Sequence, residues 1–268
     1  MNNQIDRRNF ISSSAAAGAG FMIAKSAIAQ AEGKKDINIA LIGAGVQGQV
    51  LMNAILKLGK NSGVKFRAVC DIWEKGNLRR VSRILTAYKR YGHKGTPYVD
   101  YQEMLEKEKD LDAVLIATPD FWHARHTIAC FEKGLHVYCE KEMSNSLEDA
   151  KNMVLAGRKA RKLLQIGHQR RSNPRYIYCN EKIINEANLL NRITNISGQW
   201  HRSRAACVDL GWPKGSDIPK ETLKKYGFDD MPQFRNWRWY KGKGGGPIVD
   251  LGSHQIDVYS WFLGNAVP

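Results

Sequence analysis

The sequence has no CxxC pair, no run of five or six like charges and no repeat, and its apolar stretches stay short. Its five cysteines, Cys70, Cys130, Cys139, Cys179 and Cys207, form an odd set. That excludes a disulfide scaffold and supports neither a zinc site nor a thioredoxin-like motif, so no metal is expected and the cysteines read as small buried thiols. No segment approaches the ~20 strongly apolar residues that span a bilayer, so no permanent membrane span is expected. The balance is basic, 41 Lys and Arg against 26 Asp and Glu for a net charge of +15. Those charges are scattered, without helix-turn-helix or zinc-finger spacing, which argues against a nucleic-acid partner. What remains, 268 residues at 43% hydrophobic and 25% charged, is the composition of a folded protein with one large or two modest domains.

Residues 1–30 read as an address. A charged start with Arg7-Arg8-Asn9-Phe10-Ile11, a weakly apolar middle and the small-residue end Ala27-Ile28-Ala29 make a signal peptide. The arginine pair followed by a polar and two apolar residues resembles the twin-arginine export signal, which carries proteins that have already folded. The expected location is periplasmic, or otherwise exported by that route, and folding before export suits a cofactor inserted in the cytoplasm.

From Asp36 onward apolar strands alternate with amphipathic helices. Strands are expected at 37–42, 66–70, 113–117, 136–139 and 163–166, with helices near 46–58, 74–90, 121–133 and 146–161. Such βα alternation means a doubly wound parallel sheet covered on both faces. After Gln169 the rhythm changes to a helix near 174–187, a strand over 192–200, a long irregular stretch over 201–246 holding Trp212, Trp237 and Trp239, and a helix over 248–263. The expected division is a signal over 1–30, a Rossmann-like α/β domain over 36–168 and a second domain over 169–268.

Three features carry chemistry. Strand 37–42 runs into Gly43-Ala44-Gly45-Val46-Gln47-Gly48, a GxGxxG that opens a helix; the glycines permit a tight turn, close approach of a pyrophosphate and close helix packing. Asp71 ends the second strand about 20 residues further on, where a carboxylate can accept hydrogen bonds from a ribose 2′-OH. Its charge favours NAD, while Arg79 and Arg80 nearby leave NADP open. Second, Thr118, Pro119 and His123 follow a strand at the carboxyl edge of the sheet, as do Glu140 and Lys141 after the next; Thr118 also reads as a cap and Pro119 as a first-turn residue of the helix that follows. Third, after Gly244-Gly245-Gly246, residues Asp250, His254 and Asp257 form one stripe of an otherwise apolar helix, where charge is costly unless paired or functional.

Together these residues, with Gly167–Arg171, resemble the glucose-fructose oxidoreductase and inositol dehydrogenase (Gfo/Idh/MocA) family over residues 36–268. The resemblance implies an NAD(P)-dependent oxidoreductase, acting on CH–OH groups, that passes a hydride between a tightly bound nicotinamide cofactor and a sugar or polyol. It implies Lys141, Asp250 and His254 as the catalytic set, with His254 as base, Lys141 as electrostatic stabiliser or relay and Asp250 orienting one or both. Gly43, Gly45, Val46, Gln47, Gly48, Asp71, Thr118, Pro119, His123, Glu140 and Lys141 would hold the cofactor. His168, Arg170, Trp237, Asp250 and His254 would meet the substrate, and the stretch 201–246 would help recognise it, through Trp212, Trp237 and Trp239 and through His201, Arg202, Arg204 and Arg238; the tryptophans equally fit core packing or a subunit interface.

The family usually has proline where this chain has Glu142. Its members also continue into a large, mostly antiparallel sheet and assemble as homo-oligomers, so the sequence reads as a truncated frame holding the start of an α+β second domain. Two other functions stay open: a redox-neutral glycosidase or lyase acting by transient sugar oxidation, suited to a compartment with little free NAD(P), and an inactive sugar-binding relic.

Overall fold

The structure is a computed structural model and describes residues 36–201 and 210–264. The signal-like residues 1–30, Arg202, Arg204 and Cys207 lie outside the described residues. No described helix is long and apolar enough to cross a membrane.

Six parallel strands form one sheet: β1 Ile37–Ile42, β2 Val64–Cys70, β3 Thr96–Tyr98, β4 Ala113–Ile116, β5 His136–Glu140 and β6 Leu164–Gly167, in the order β3-β2-β1-β4-β5-β6. This is the Rossmann order, with the strand sequence reversing between β1 and β4, so a crevice opens at their carboxyl ends. β1 shows why it sits centrally. Ile39 and Leu41 pack into a core on one face and Ala40 and Ile42 into a core on the other, all of them buried, as a central parallel strand requires.

The covering helices are α1 Val46–Leu56, α2 Arg79–Ala87, α3 Tyr101–Lys107, α4 Asp120–Glu132 and α5 Leu147–Ala160. Polar caps start two of them: Asp100 accepts from Gln102 N, and Ser146 accepts from Asp149 N. α4 starts differently from the expectation. Pro119 is its N-cap with no side-chain hydrogen bond, and the Thr118 hydroxyl turns instead to His126 Nδ1 at 3.1 Å. Strand β3 and helix α3 went unforeseen, because a three-residue edge strand containing Pro97 offers no periodicity to read.

The remainder carries α6 Pro174–Tyr178, α7 Lys220–Lys225, α8 Met231–Asn236 and α9 Ser253–Phe262. A wide π-helical stretch, Cys179–Glu186, continues α6, and another, Ile248–Gly252, leads into α9. The strand expected over 192–200 does not form, nor does any antiparallel sheet among the described residues. Alternation there is only partial, and no neighbouring strand among the described residues offers a ladder for its N–H and C=O groups. The stretch 201–246 is not a plain loop either. Within it, residues 210–239 make a strap, and its Ile218, Leu223, Tyr226, Phe228, Met231 and Trp237 enter the same core as Trp73, Tyr101 and Trp122. Trp73 Nε1 donates to Ser216 O at 2.5 Å and Trp122 Nε1 to Tyr226 O at 3.0 Å, pinning the strap across the crevice edge. By contrast, α9 buries only Val258 fully, and Ile256 stands 56% exposed.

Close approach at the head of β1 explains two of the three glycines. Gly43 has φ +91°, and a Cβ there would lie 2.6 Å from the Ala117 carbonyl carbon; a Cβ on Gly48 would lie 2.0 Å from the Gly43 oxygen. Around Gly45 the nearest atom to such a Cβ is Asn77 Nδ2 at 3.8 Å. Gly43→Ala and Gly48→Ala are therefore expected to destabilise the protein by roughly 2 kcal/mol or more, and Gly45→Ala by less than about 1 kcal/mol. Urea unfolding of the three variants checks this; equal losses at all three positions would contradict it.

Candidate active site

The crevice holds two adjoining cavities. The first, about 240 Å³, lies between the glycine turn with Asp71 and Asn77 on one side and the strap residues Tyr226, Phe228, Phe234, Arg235 and Trp237 on the other. The second, about 330 Å³, is walled by Asp120, Glu140, Lys141, Gln169, Asp250 and His254. Val46, Gln47, Ala117, Thr118, Arg235, Trp237 and Arg238 border both, so the two are compartments of one crevice.

In the first compartment, α1 begins at Gly45 with extended backbone and no side-chain cap, leaving its first N–H groups and the positive end of the helix dipole facing the space beside Gly45. Asp71 braces this turn. Its Oδ2 accepts from Ala44 N at 2.8 Å and Asn77 Nδ2 at 3.3 Å, while Oδ1 accepts from Trp73 N at 2.8 Å. Burial raises the Asp71 pKa, and these hydrogen bonds, with the charge of Arg235, pull it back. A cradle of free backbone donors open at Gly45, beside a buried carboxylate at the end of β2, fits a dinucleotide.

In the second compartment, Glu140 is the organising acid. Its Oε1 accepts from Gln47 Nε2 at 2.9 Å and Tyr138 OH at 3.1 Å, and Oε2 accepts from Gln169 Nε2 at 3.1 Å, tying the glycine turn to the ends of β5 and β6. Lys141 Nζ donates to the Asp250 carbonyl at 2.6 Å, with Glu142 Oε1 at 3.6 Å and Asp250 Oδ1 at 4.0 Å. Glu142, standing where the family usually has proline, thus adds a carboxylate beside the lysine. The Asp250 carboxylate is taken by Arg238 Nε at 2.9 Å. His254 Nδ1 is buried and makes no hydrogen bond among the described residues, and the ring stacks on Trp200 with centroids 5.4 Å apart. Burial, with Lys141 and Arg170 nearby, lowers the His254 pKa, so its imidazole is neutral at neutral pH and able to accept a proton.

Several expected site residues sit elsewhere. Gly48 lets the Gly43 carbonyl pass and does not line the crevice. His123 is fully buried, with Nε2 2.8 Å from Thr118 O and Nδ1 2.5 Å from Glu142 O; it clamps together the turns after β4 and β5 and touches neither compartment. His168 faces Asp257 at 3.7 Å, and Asp257 is held by Arg171 Nε at 2.8 Å, so the third member of the acidic stripe is structural. Arg170 lines a separate hollow with Trp200 and the other side of His254. Between these two residues, Gln169 is the one that reaches the crevice. Asp250 makes no hydrogen bond to His254, because its carboxylate is turned to Arg238; it holds Lys141 through its main-chain carbonyl instead. Trp237 borders both compartments and Trp239 the second, whereas Trp212 packs against the core and bonds Asp217, and His201 bonds Gln199. Asp120 and Gln169 lie inside the Thr118–His123 and Gly167–Arg171 segments without being singled out there, and Arg235 falls in no motif.

Comparison with known proteins agrees with this geometry. The family model "Oxidoreductase family, NAD-binding Rossmann fold" of the GFO/IDH/MocA group matches residues 37–168, and the model of the GFO/IDH/MocA C-terminal domain matches residues 223–267. The chain belongs to the GFO/IDH/MocA oxidoreductase family. Within it, the chain is 27% identical over 229 residues to the D-glucoside 3-dehydrogenase of Escherichia coli, covering 85% of this chain and 54% of that protein. It is 34% identical over 148 residues to a glycosyl hydrolase family 109 protein of Stenotrophomonas maltophilia, covering 53% and 31%. Among solved structures, the WlbA dehydrogenase of Chromobacterium violaceum, solved with NADH and UDP-GlcNAcA, superposes with a TM-score of 0.59 at 25% identity, covering 86% of this chain and 56% of that one. The chain thus spans from about a third to just over half of the length of these GFO/IDH/MocA relatives.

Asp120 offers a test of the site's electrostatics. It is 8% exposed, and burial raises its pKa to about 7 against the pull of Arg238 and Lys141. Below the unfolded value of 3.8 both states are protonated. As pH rises from about 4 to 7 the unfolded chain ionises while the folded one keeps its proton, so stability is lost over that window, by an amount bounded at roughly 4 kcal/mol. Asp120→Asn should therefore gain stability over the natural protein progressively from pH 4 to pH 7.5 in paired urea melts. A difference that does not change with pH would contradict this environment.

Proposed function

We propose that this chain supplies the cofactor compartment and the catalytic groups of an NAD(P)-dependent sugar or polyol dehydrogenase. The observation that carries the reading is the junction of the two compartments, where Lys141, held on the Asp250 carbonyl, and the neutral His254 border a space continuous with the cradle beside Gly45. The WlbA and glucoside dehydrogenase relatives, by the words of their names, support the substrate class and the NAD(H) chemistry.

When bound, the nicotinamide supplies the hydride acceptor. The chain's own residues do the rest. His254 accepts the proton of the substrate hydroxyl at its imidazole, and a histidine with lowered pKa remains available as a base to pH values below the usual 6.5. Lys141, an ammonium flanked by the carboxylates of Glu142 and Asp250, presents positive charge to the oxygen as it becomes an alkoxide. Asp250 and Arg238 fix the position of that ammonium. Trp237 and Trp239 present flat apolar surface to the C–H side of a sugar ring, with Gln169 and Arg238 beside them for hydroxyls.

A twin-arginine signal over residues 1–30 would carry the folded, loaded protein to the periplasm. In a compartment with little free NAD(P), a tightly held cofactor is what would let such an enzyme work. The same circumstance, and the family 109 glycosyl hydrolase relative, favour a second reading in which the sugar is oxidised, cleaved and reduced back with the cofactor never leaving. Turnover of a glycoside without added NAD(P) separates the two.

Mass spectrometry of the denatured protein, purified from cytoplasm, is expected to release NAD or NADP. Lys141→Ala and His254→Ala should lower kcat by at least about 100-fold. Both should leave the dissociation constant for NADH within about threefold, half a log unit or less in affinity. Near-natural rates in either variant would return that residue to a packing role.

A further inference from the structure

The Asp71 end of the crevice carries a cation that no local motif supplies. Arg79 and Arg80, the first arginines after Asp71 in sequence, are exposed and line neither compartment. Arg235 comes instead from α8 of the strap and lines the first compartment with Asp71 and Asn77. Its guanidinium lies over the Trp73 ring, 4.9 Å from the centroid, and its Nε donates to Gly211 O at 3.1 Å. The terminal guanidinium nitrogens make no hydrogen bond among the described residues. The other arginine bordering this compartment, Arg238, is committed to Asp250.

We propose that Arg235 is a specificity-determining residue that admits a 2′-phosphorylated dinucleotide at the pocket braced by Asp71, so that the crevice takes NADPH as well as NADH. The inference rests on the reading of this compartment as the dinucleotide site. A monoester phosphate brings about −1.5 to −2 charges at neutral pH, which a buried carboxylate alone would repel. Here the Asp71 oxygens are already turned onto Ala44 N, Trp73 N and Asn77 Nδ2. Arg235 stands opposite with a planar fork of donors, held flat by Trp73, the geometry that binds phosphate oxygens in pairs. The mutual influence of Arg235 and Asp71 on each other's titration agrees with their proximity.

The test is the dissociation constants of NADH and NADPH, read by quenching of protein fluorescence, for the full chain and its Arg235→Gln and Arg235→Lys variants, with thermal melting to verify folding. The natural protein is expected to bind both within about tenfold of each other. Arg235→Gln should weaken NADPH by at least about tenfold while NADH stays within about threefold, and Arg235→Lys should fall between, since it keeps charge but loses the fork. Equal weakening of both cofactors, no change in either, or discrimination by the natural protein of more than about 100-fold against NADPH would each overturn the proposal. Failure of the natural protein to bind either nucleotide would bring down the dinucleotide reading itself, and this inference with it, an outcome distinct from the other three.

Discussion

The hydrogen bond from Ala44 N to the Asp71 carboxylate joins the turn after β1 to the end of β2, and most of the crevice is arranged around it. A carboxylate buried at that depth is costly unless it is satisfied from several sides. Ala44 N, Trp73 N and Asn77 Nδ2 satisfy it, and in doing so they fix the glycine turn, the start of the β2–α2 connection and the ring of Trp73. Trp73 in turn donates to Ser216 O and supports the Arg235 guanidinium. One buried acid thus connects the floor of the first compartment to the strap that roofs it.

That roof is part of the core. Tyr226, Phe228 and Trp237 are each less than 10% exposed and pack with Trp122 and Phe121. A bound nucleotide would therefore lie against a surface that the fold itself holds in place, which is how a scaffold gains affinity through preorganisation. At the other end Glu140 plays the matching part, drawing Gln47, Tyr138 and Gln169 together, and His123 clamps the two turns between. In the proposed reading the chemistry sits where these two braced ends meet.

The Rossmann half was legible because its signals are local. Apolar runs of β1, β2, β4 and β5 bounded by turns give strands, and GxGxxG between a strand and a helix has few other uses. Lys141, Asp250 and His254 were found through motifs, and the geometry brings them to one compartment. What could not be read depends on contacts distant in sequence. Helices α7 and α8 have six residues each, too few for a period of 3.6 to show, and the aromatic residues in and around them, Tyr226, Phe228, Phe234 and Trp237, read as a loop in the sequence although they pack in or against the core. Arg235 is 164 positions from Asp71 in number and adjacent to it only in the fold. His123 and His168 follow motif positions faithfully, yet their ring nitrogens face carbonyls and a carboxylate away from the crevice, and a motif does not say which way a side chain turns.

The central claim is that a dinucleotide lies in the crevice between the Asp71-braced glycine turn and the strap. Trp73 and Trp122 pack at that compartment and Trp237 lines it, so all three stand within energy-transfer range of a dihydronicotinamide bound there. Titrating the protein with NADH while exciting tryptophan measures this directly. The account predicts saturable quenching of tryptophan emission with sensitised emission from the dihydronicotinamide, and a loss of both when Gly45 is replaced by a bulky residue that fills the cradle without unfolding the chain. Saturable binding without energy transfer, or binding indifferent to a bulky residue at Gly45, would contradict it.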